Sequence, residues 1–586
     1  MIRLTGAVMA HPRRADAARA LIASAPPGFL DLVRDPDPGG PPSGLRTSIA
    51  AWSTVPAGST HHLVLEDDAR LAPDFVAHLE RAVAKAPDAA IALYTNWNSR
   101  AGAAVRLGAL AGARWAVPPT EYTPNVALVL PAAVAARFGP FARASGGSWP
   151  DDVVLARYLR HAGVRTLLTV PNLVQHGEFP SVSGNDLHGL RQAACFGVPP
   201  DDDWSADRIV TPTAVPFVKF GLALGTVRRE GGWSTVGAAR LDRLLGVPEP
   251  PADVLAQAGP TTDGEPGDVA RGVSTAEPSA LTARSGSDDA PPGAAPPAFL
   301  GESAPDVRPA DLTRASTPGA DQSRRPGPAG GLPGAVALWR NAFALGRLQP
   351  DHDEADPLVR SAVASLGPGL LCTSLGAHEL RRLEEAWREW AFRALRAGAA
   401  APPVERRQHR ISLSGNDSAV RSLVADDLRD RGHDLGGGVE VVVEHDRVRC
   451  HDAVLWLGTP YGPGLADGPL PALVLQSLQR HPMRVGGVLA TETRWTHVWD
   501  VAGAIEHVLD DPTSSGDLAV WHDETPKPQE LADLIGSVVR RVEVDLSAVT
   551  TRDGDPPRGR RWAWRPELDL GEGIRLLAQW LAYEAG

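Results

Sequence analysis

His62-Leu63-Val64-Leu65-Glu66-Asp67-Asp68 is an apolar run of strand length that ends abruptly in three carboxylates. Short aliphatic runs bounded by polar residues read as buried strands. In open α/β sheets, ligands collect at the carboxyl ends of such strands, so the place of these acids matters as much as their number. Three adjacent carboxylates repel one another, and a hard divalent cation that also bridges to phosphate oxygens offsets that repulsion. The same acids suit a solvated turn that caps the helix expected from Pro73. On this stretch alone both readings stand.

Outward from it, strand-like and helix-like stretches alternate. Strands are expected over Leu4 to Met9, Ala90 to Tyr94, Val126 to Leu130 and Arg165 to Val170, and helices over Ala15 to Ser24, Pro73 to Ala84 and Asp151 to Ala162. This alternation predicts a layered α/β domain across residues 1–245. Residues 246–334 are dense in Pro, Gly, Ala, Ser, Thr and Asp, with too little apolar surface to offset the entropy of ordering, and are expected to be a disordered linker. Residues 335–586 form a third segment. Its lead-in helix, Glu379 to Arg396, places Leu380, Leu383, Trp387, Trp390 and Leu395 on one face. A second alternation follows, with strands at Ile411 to Leu413, Val439 to Val443 and Ala453 to Leu457 around a helix from Val420 to Arg431.

Composition narrows the function. The 586 residues exceed one core, and the formal net charge of -12 argues against a nucleic-acid-binding face. No apolar run reaches membrane-spanning length. Three scattered cysteines, Cys195, Cys372 and Cys450, suit neither a disulfide framework nor a zinc site but fit a reducing cytosol, so a cytoplasmic protein is expected, with peripheral membrane association left open. Basic charge is almost all arginine; the lysines are Lys85, Lys219 and Lys527.

Several motifs occur in an order that resembles the GT-A glycosyltransferases: Glu66-Asp67-Asp68, then Trp149-Pro150-Asp151-Asp152 at a helix start, then Val174-Gln175-His176-Gly177-Glu178-Phe179-Pro180-Ser181. The acidic run is closer to that of bacterial lipopolysaccharide-type members than to a strict Asp-X-Asp. The resemblance implies a GT-A, Rossmann-like nucleotide-sugar transferase domain. It also implies manganese or magnesium held by Glu66, Asp67, Asp68 and His176, with Asp151 or Asp152 as the base toward an acceptor hydroxyl. Val8-Met9-Ala10-His11-Pro12-Arg13-Arg14 resembles the nucleotide-binding end of the first strand, which puts His11 and Arg13 on the substrate. Asn96, Trp97 and Asn125 are further candidates for the sugar or acceptor, with Trp97 equally suited to packing. On residue type alone, Asp151 and Asp152 also read as helix caps and His176 as a structural histidine.

The third segment resembles NAD-dependent epimerase/dehydratases of the extended short-chain dehydrogenase type, in a shortened Rossmann-like form. Arg410-Ile-Ser-Leu-Ser-Gly415-Asn-Asp-Ser418 stands where the glycine-rich turn belongs, and Tyr461-Gly-Pro-Gly464, Trp495-Thr-His497-Val-Trp-Asp500 and Trp564-Arg-Pro566 follow in order. The resemblance makes Gly415 and Ser418 the positions facing NAD(P). No tyrosine in the chain is followed four residues later by lysine, so the Tyr-x-x-x-Lys pair of that family is missing. The expectation is a transferase acting on a nucleotide-sugar donor and a saccharide, small-molecule or lipid-linked acceptor, with the epimerase-like part non-catalytic and a candidate homodimer module. The alternatives are a nucleotide-sugar epimerase or reductase, and a non-catalytic sugar-nucleotide-binding scaffold.

Overall fold

Alternate residues of the first strand enter different cores: Ala7 and Met9 one, Val8 and Ala10 another. The strand carrying the acidic run divides in the same way, with Val64 on one side and Leu63 and Leu65 on the other. A strand buried on both faces is the centre of a helix-covered sheet, which is why both runs lack polar alternation. In this computed structural model, residues 2–40, 43–145, 149–179, 189–201, 203–205, 207–219, 222–229, 232–257, 332–402, 408–484, 493–511, 513–545 and 558–585 are described.

The first sheet is built from β1 (Leu4–Ala10), β2 (Leu30–Arg34), β3 (His61–Glu66), β5 (Ala90–Ala92), β6 (Trp115–Ala116), β7 (Ala127–Pro131), β8 (Thr166–Thr169) and β10 (Ile209–Val210); β4 (Ala69–Leu71) and β9 (Val174–His176) form a separate two-stranded ladder. The order is β2-β1-β3-β7-β5-β8-β6-β10. β1 pairs in parallel with both β2 and β3, and β7 runs antiparallel between β3 and β5. The chain therefore leaves β1 on one side and returns on the other. The ends of β1 and β3 flank a topological switch point, where a crevice opens in sheets of this kind.

The fold is mixed α/β with a Rossmann-like, parallel-rich layer, as the alternation predicts, and the expected strands and helices differ mainly at their ends. The helix expected from Pro73 is Phe75–Lys85, because Asp74 takes a left-handed backbone (φ 51) at its N-cap. The alternation does not continue to residue 245: Ala214–Lys219, Leu222–Arg229 and Gly232–Gly237 form an antiparallel meander. Of the expected linker, Ala252–Gln257 is helical, and residues 258–331 lie outside the described residues.

The described residues on either side of 258–331 form one compact unit. Four helices, Ala335–Leu348, Pro357–Ala364, Leu366–Leu371 and Ala377–Ala399, share the core of the buried helix Arg100–Leu110, and Pro357–Ala364 packs directly on it. The first and last of them cross closely. A Cβ on Gly346 would lie 2.0 Å from the Leu395 carbonyl oxygen, and one on Gly398 2.0 Å from that of Phe343. The five-stranded C-terminal sheet runs Arg410–Ser414, Asp434–Val443, Arg447–Cys450, Ala453–Leu457, Gly516–Val520, with parallel pairs at its two edges and antiparallel pairs between.

In helix Val498–Asp510, the Asp500 carboxylate is buried and accepts the Glu567 backbone N–H at 2.8 Å. Burial, the largest cause, pushes its pKa up to about 8. An unfolded aspartate titrates near about 3.9, so from pH 4 to 8 the folded state keeps a proton that the unfolded state has lost. This group's contribution to stability therefore falls as pH rises through that window. Asp500→Asn, which keeps the acceptor oxygen, is expected to raise the melting temperature relative to wild type by a margin that grows from pH 5 to pH 8. Melts in which the margin is flat with pH would contradict it.

Candidate active site

The ladder between β4 and β9 sets Ala69 opposite His176 and so delivers the histidine to the acidic run. His176 Nε2 lies 3.4 Å from Asp68 Oδ2, and the Gly177 N–H donates to the Asp68 carbonyl at 2.6 Å. Ligand atoms of Glu66, Asp68 and His176 all fall within 4.8 Å of one another. His176 Nδ1 sits 2.6 Å from the Gly177 carbonyl oxygen, which can only accept, so Nδ1 carries the proton and Nε2 the lone pair. Neither His176 Nε2 nor Asp68 Oδ1 has a hydrogen-bond partner. Burial pushes the imidazole pKa down and keeps it neutral, and burial followed by the Asp68 charge pushes Glu66 up. Two carboxylates and a neutral imidazole oriented by a backbone carbonyl are a donor set that fits a divalent cation.

Asp67 takes a different role from the one expected. Its carboxylate accepts the His11 N–H at 2.8 Å and Arg14 Nη1 at 3.2 Å, which ties the end of β1 to the end of β3 rather than facing the triad. His11 acts through that N–H and through Nδ1, which accepts from the Arg13 backbone at 3.2 Å. The Arg13 side chain points to solvent. Its neighbour Arg14, not singled out from sequence, makes a close ion pair with Asp68 and stands over the Phe179 ring at 5.7 Å. Arg191 acts electrostatically on Glu66, Tyr94 and His176 and supplies a second cation. The Tyr94 hydroxyl is buried without a hydrogen-bond partner, its ring 6.1 Å from that of His176. Pro180 and Ser181 lie outside the described residues.

Asp151 and Asp152 open helix Asp151–His161 and are half-buried. Asn125 Nδ2 donates to Asp151 Oδ2 at 2.6 Å, so that residue orients a carboxylate. Asp151 is the member of the pair whose charge reaches Glu66. Burial raises both, and with the Asp151 charge lifts Asp152 to about 7. Asn96 pairs through its backbone with Ala193, and its Oδ1 has no partner. Trp97 is a core residue and not a sugar platform. Its ring packs with the 335–371 helices, and its indole N–H donates to the Leu190 carbonyl at 3.0 Å.

In the C-terminal half, Gly415 (φ 122) holds the strand-to-helix turn, where a Cβ would lie 1.9 Å from the Val443 carbonyl oxygen. Ser418 opens helix Ser418–Asp430, but Asp417 caps it by accepting the Val420 N–H at 3.0 Å. A dinucleotide pyrophosphate needs that helix end, and here a carboxylate occupies it. These residues do not fit the cofactor at that turn. Tyr461 is fully buried, its hydroxyl 2.8 Å from His522 Nε2.

No protein-family model matches the chain, and no curated protein matches it. Among solved structures, a dTDP-glucose 4,6-dehydratase from Bacillus anthracis in complex with NAD is similar at 19% identity over 22% of this chain and 43% of that one. An epimerase from Methanothermobacter thermautotrophicus is similar at 14% over 24% and 43%. A UDP-glucuronic acid 4-epimerase from Bacillus cereus, in complex with UDP-glucuronic acid and NAD, is similar at 13% over 33% and 66%. Each has a TM-score of 0.18, and the chain spans less than half the length of the first two. No helix among the described residues is long and apolar enough to cross a membrane.

Proposed function

We propose that the protein is a GT-A-type glycosyltransferase that moves a sugar from a nucleotide-sugar donor to an acceptor hydroxyl. The observation that carries this reading is the convergence of Glu66, Asp68 and His176 at the sheet's switch point, with Asp68 Oδ1 and His176 Nε2 lacking a hydrogen-bond partner. Manganese or magnesium held by these three residues would neutralise the departing diphosphate. Arg14 and Arg191 add fixed positive charge beside it. Asp151, held by Asn125 and raised by burial, takes the proton of the acceptor hydroxyl. The acceptor oxygen then bonds to the anomeric carbon as the bond from that carbon to the phosphate oxygen breaks, which inverts the centre and releases a nucleoside diphosphate. Asp152 supports its neighbour.

The test is donor hydrolysis by the full-length protein against a panel of sugar nucleotides with manganese. Release of nucleoside diphosphate from one donor, stopped by EDTA and restored by manganese, is the expected result; release that ignores EDTA would overturn the metal role. The second reading, a nucleotide-sugar epimerase or dehydratase, has in its favour the ordered motifs from Tyr461 to Trp564. It predicts a nicotinamide absorbance in purified protein and interconversion of the sugar nucleotide without release of diphosphate. Asp417 on the helix end and the missing Tyr-x-x-x-Lys weigh against it.

A further inference from the structure

Helix Leu570–Tyr583 ends against the elements that carry the candidate base. Ala582 belongs to the core cluster that contains Val153 and Val154, and the rings of Tyr583 and Tyr122, 5.9 Å apart, pack against that cluster. Arg160, in the helix opened by Asp151 and Asp152, donates to the Tyr583 carbonyl at 3.1 Å. The Glu584 carboxylate accepts Arg100 Nη1 at 2.6 Å and the Thr235 hydroxyl at 2.5 Å. Arg100 is fully buried, and a buried guanidinium needs a paired anion to offset its lost hydration. The same nitrogen donates to the Thr120 carbonyl at 2.8 Å, and the guanidinium lies over the Tyr583 ring at 5.8 Å. Residues 117–126, which join β6 to β7, are thereby held at Thr120 and at Tyr122. Glu121 adds a third tie by accepting the Ala101 N–H at 3.1 Å. Two contacts to the acidic pair come from this loop. The Thr123 N–H donates to the Asp152 carbonyl at 3.1 Å, and Asn125 Nδ2 to the Asp151 carboxylate at 2.6 Å. Hydrogen bonds, ring contacts and covalent chain thus join Glu584 to Asp151 in one continuous run.

We propose that Tyr583 and Glu584 are positioning residues for the base: through Tyr122 and Arg100 they brace loop 117–126, and so set where Asn125 holds the Asp151 carboxylate. This rests on the transferase reading and deepens it, because it gives the C-terminal half a part in the chemistry of the N-terminal half. The triad of Glu66, Asp68 and His176 is placed by other elements, β3 and the β4–β9 ladder. Metal binding and placement of the base are therefore separable. Proton transfer is the step that depends on the brace, since a misplacement of about 1 Å costs up to about 100-fold in rate.

The test measures donor hydrolysis by the full-length protein, with water as the acceptor, alongside manganese affinity by calorimetry and the melting temperature. Glu584→Ala and Tyr583→Leu are each expected to lower kcat about 10- to 100-fold, while the donor KM and the manganese affinity stay within about twofold of wild type. Tyr583→Phe, which keeps the ring, is expected to restore most of the rate. Glu584→Ala strands the buried Arg100. Tyr583 is half-buried, so Tyr583→Leu carries the test should Glu584→Ala fail to fold. Folded variants that turn over at the wild-type rate would overturn the brace. A loss in which kcat, donor KM and manganese affinity all change together would also overturn it, because that pattern marks a general loosening of the fold. Tyr583→Phe as slow as Tyr583→Leu would do the same, by assigning the effect to the hydroxyl instead of the ring. No donor hydrolysis in the wild type would instead remove the transferase reading itself.

Discussion

Asp68→Asn is expected to remove manganese binding and to slow release of nucleoside diphosphate by about 100- to 1,000-fold, with the fold intact. The charge matters because the other two members of the triad cannot replace it. His176 is held neutral, and Glu66 is pushed toward its protonated form by burial and by Asp68 itself. Asp68 is therefore the dominant anion of the set, and metal assistance of this kind contributes several kcal/mol, each 1.36 kcal/mol being tenfold. Asparagine keeps the side chain's size. The backbone bond from Gly177 to the Asp68 carbonyl does not involve the side chain, and Arg14 keeps its contact with Asp67. A melting temperature within a few degrees of wild type is thus part of the expectation. Unchanged manganese affinity, read by calorimetry or by the electron paramagnetic resonance of Mn2+, would contradict the assignment. His176→Gln should give a smaller loss, because it removes a neutral ligand.

Much of this site is legible in the sequence, and what is not has identifiable physical causes. Strand β3 and its acids are a local pattern, so the switch-point site follows from one stretch and the alternation around it. The partnership of Asp68 with His176 depends on the β4–β9 ladder, two three-residue strands far apart in the chain. Arg14 rather than Arg13 reaches the acids because the short helical turn over Pro12–Arg14 fixes which side chain points inward, a phase that composition does not carry. Helix Arg100–Leu110 escapes a periodicity search for a related reason. Every residue in it is buried, so it has no polar face to mark a period of 3.6. Trp97, at its approach, is a surface residue of the first segment until the helices of 335–371 cover it. A sequence read one segment at a time cannot supply that cover.

That cover has a consequence for residues 1–245, which are expected not to fold when expressed alone. Three arginines of this segment end in partners supplied by residues beyond 331. Arg106, fully buried, donates to the Ala362 carbonyl at 3.2 Å and to the Ser365 hydroxyl at 2.9 Å, and burial already pushes it down to about 9. Arg100, equally buried, donates to Glu584 at 2.6 Å. Arg240 pairs with Asp427 at 3.1 Å and closely with Asp430, beside Arg431, which is bound to Glu506 at 2.5 Å and Glu567 at 3.2 Å. Removing one partner of a buried ion pair costs about 3–5 kcal/mol. Arg100 and Arg240 both lose a carboxylate, and Trp97, Leu107 and Leu110 lose their apolar cover as well. The sum is comparable with the entire stability of a domain, about 5–15 kcal/mol. Re-exposure to water would relieve part of that cost, but the apolar surface uncovered with it would then favour aggregation. The fragment should therefore purify as aggregate or show neither a cooperative melt nor donor hydrolysis. Residues 1–257 co-expressed with 332–586 should recover a complex that co-elutes in gel filtration and melts cooperatively. Within full-length protein, Arg431→Met should lower stability by less than the about 3–5 kcal/mol of a wholly unpaired buried charge, because Asp427 keeps Arg240 while Glu506 and Glu567 lose their contacts with the Arg431 guanidinium. A monomeric, cooperatively melting 1–245 fragment that releases nucleoside diphosphate at the full-length rate would contradict the shared core.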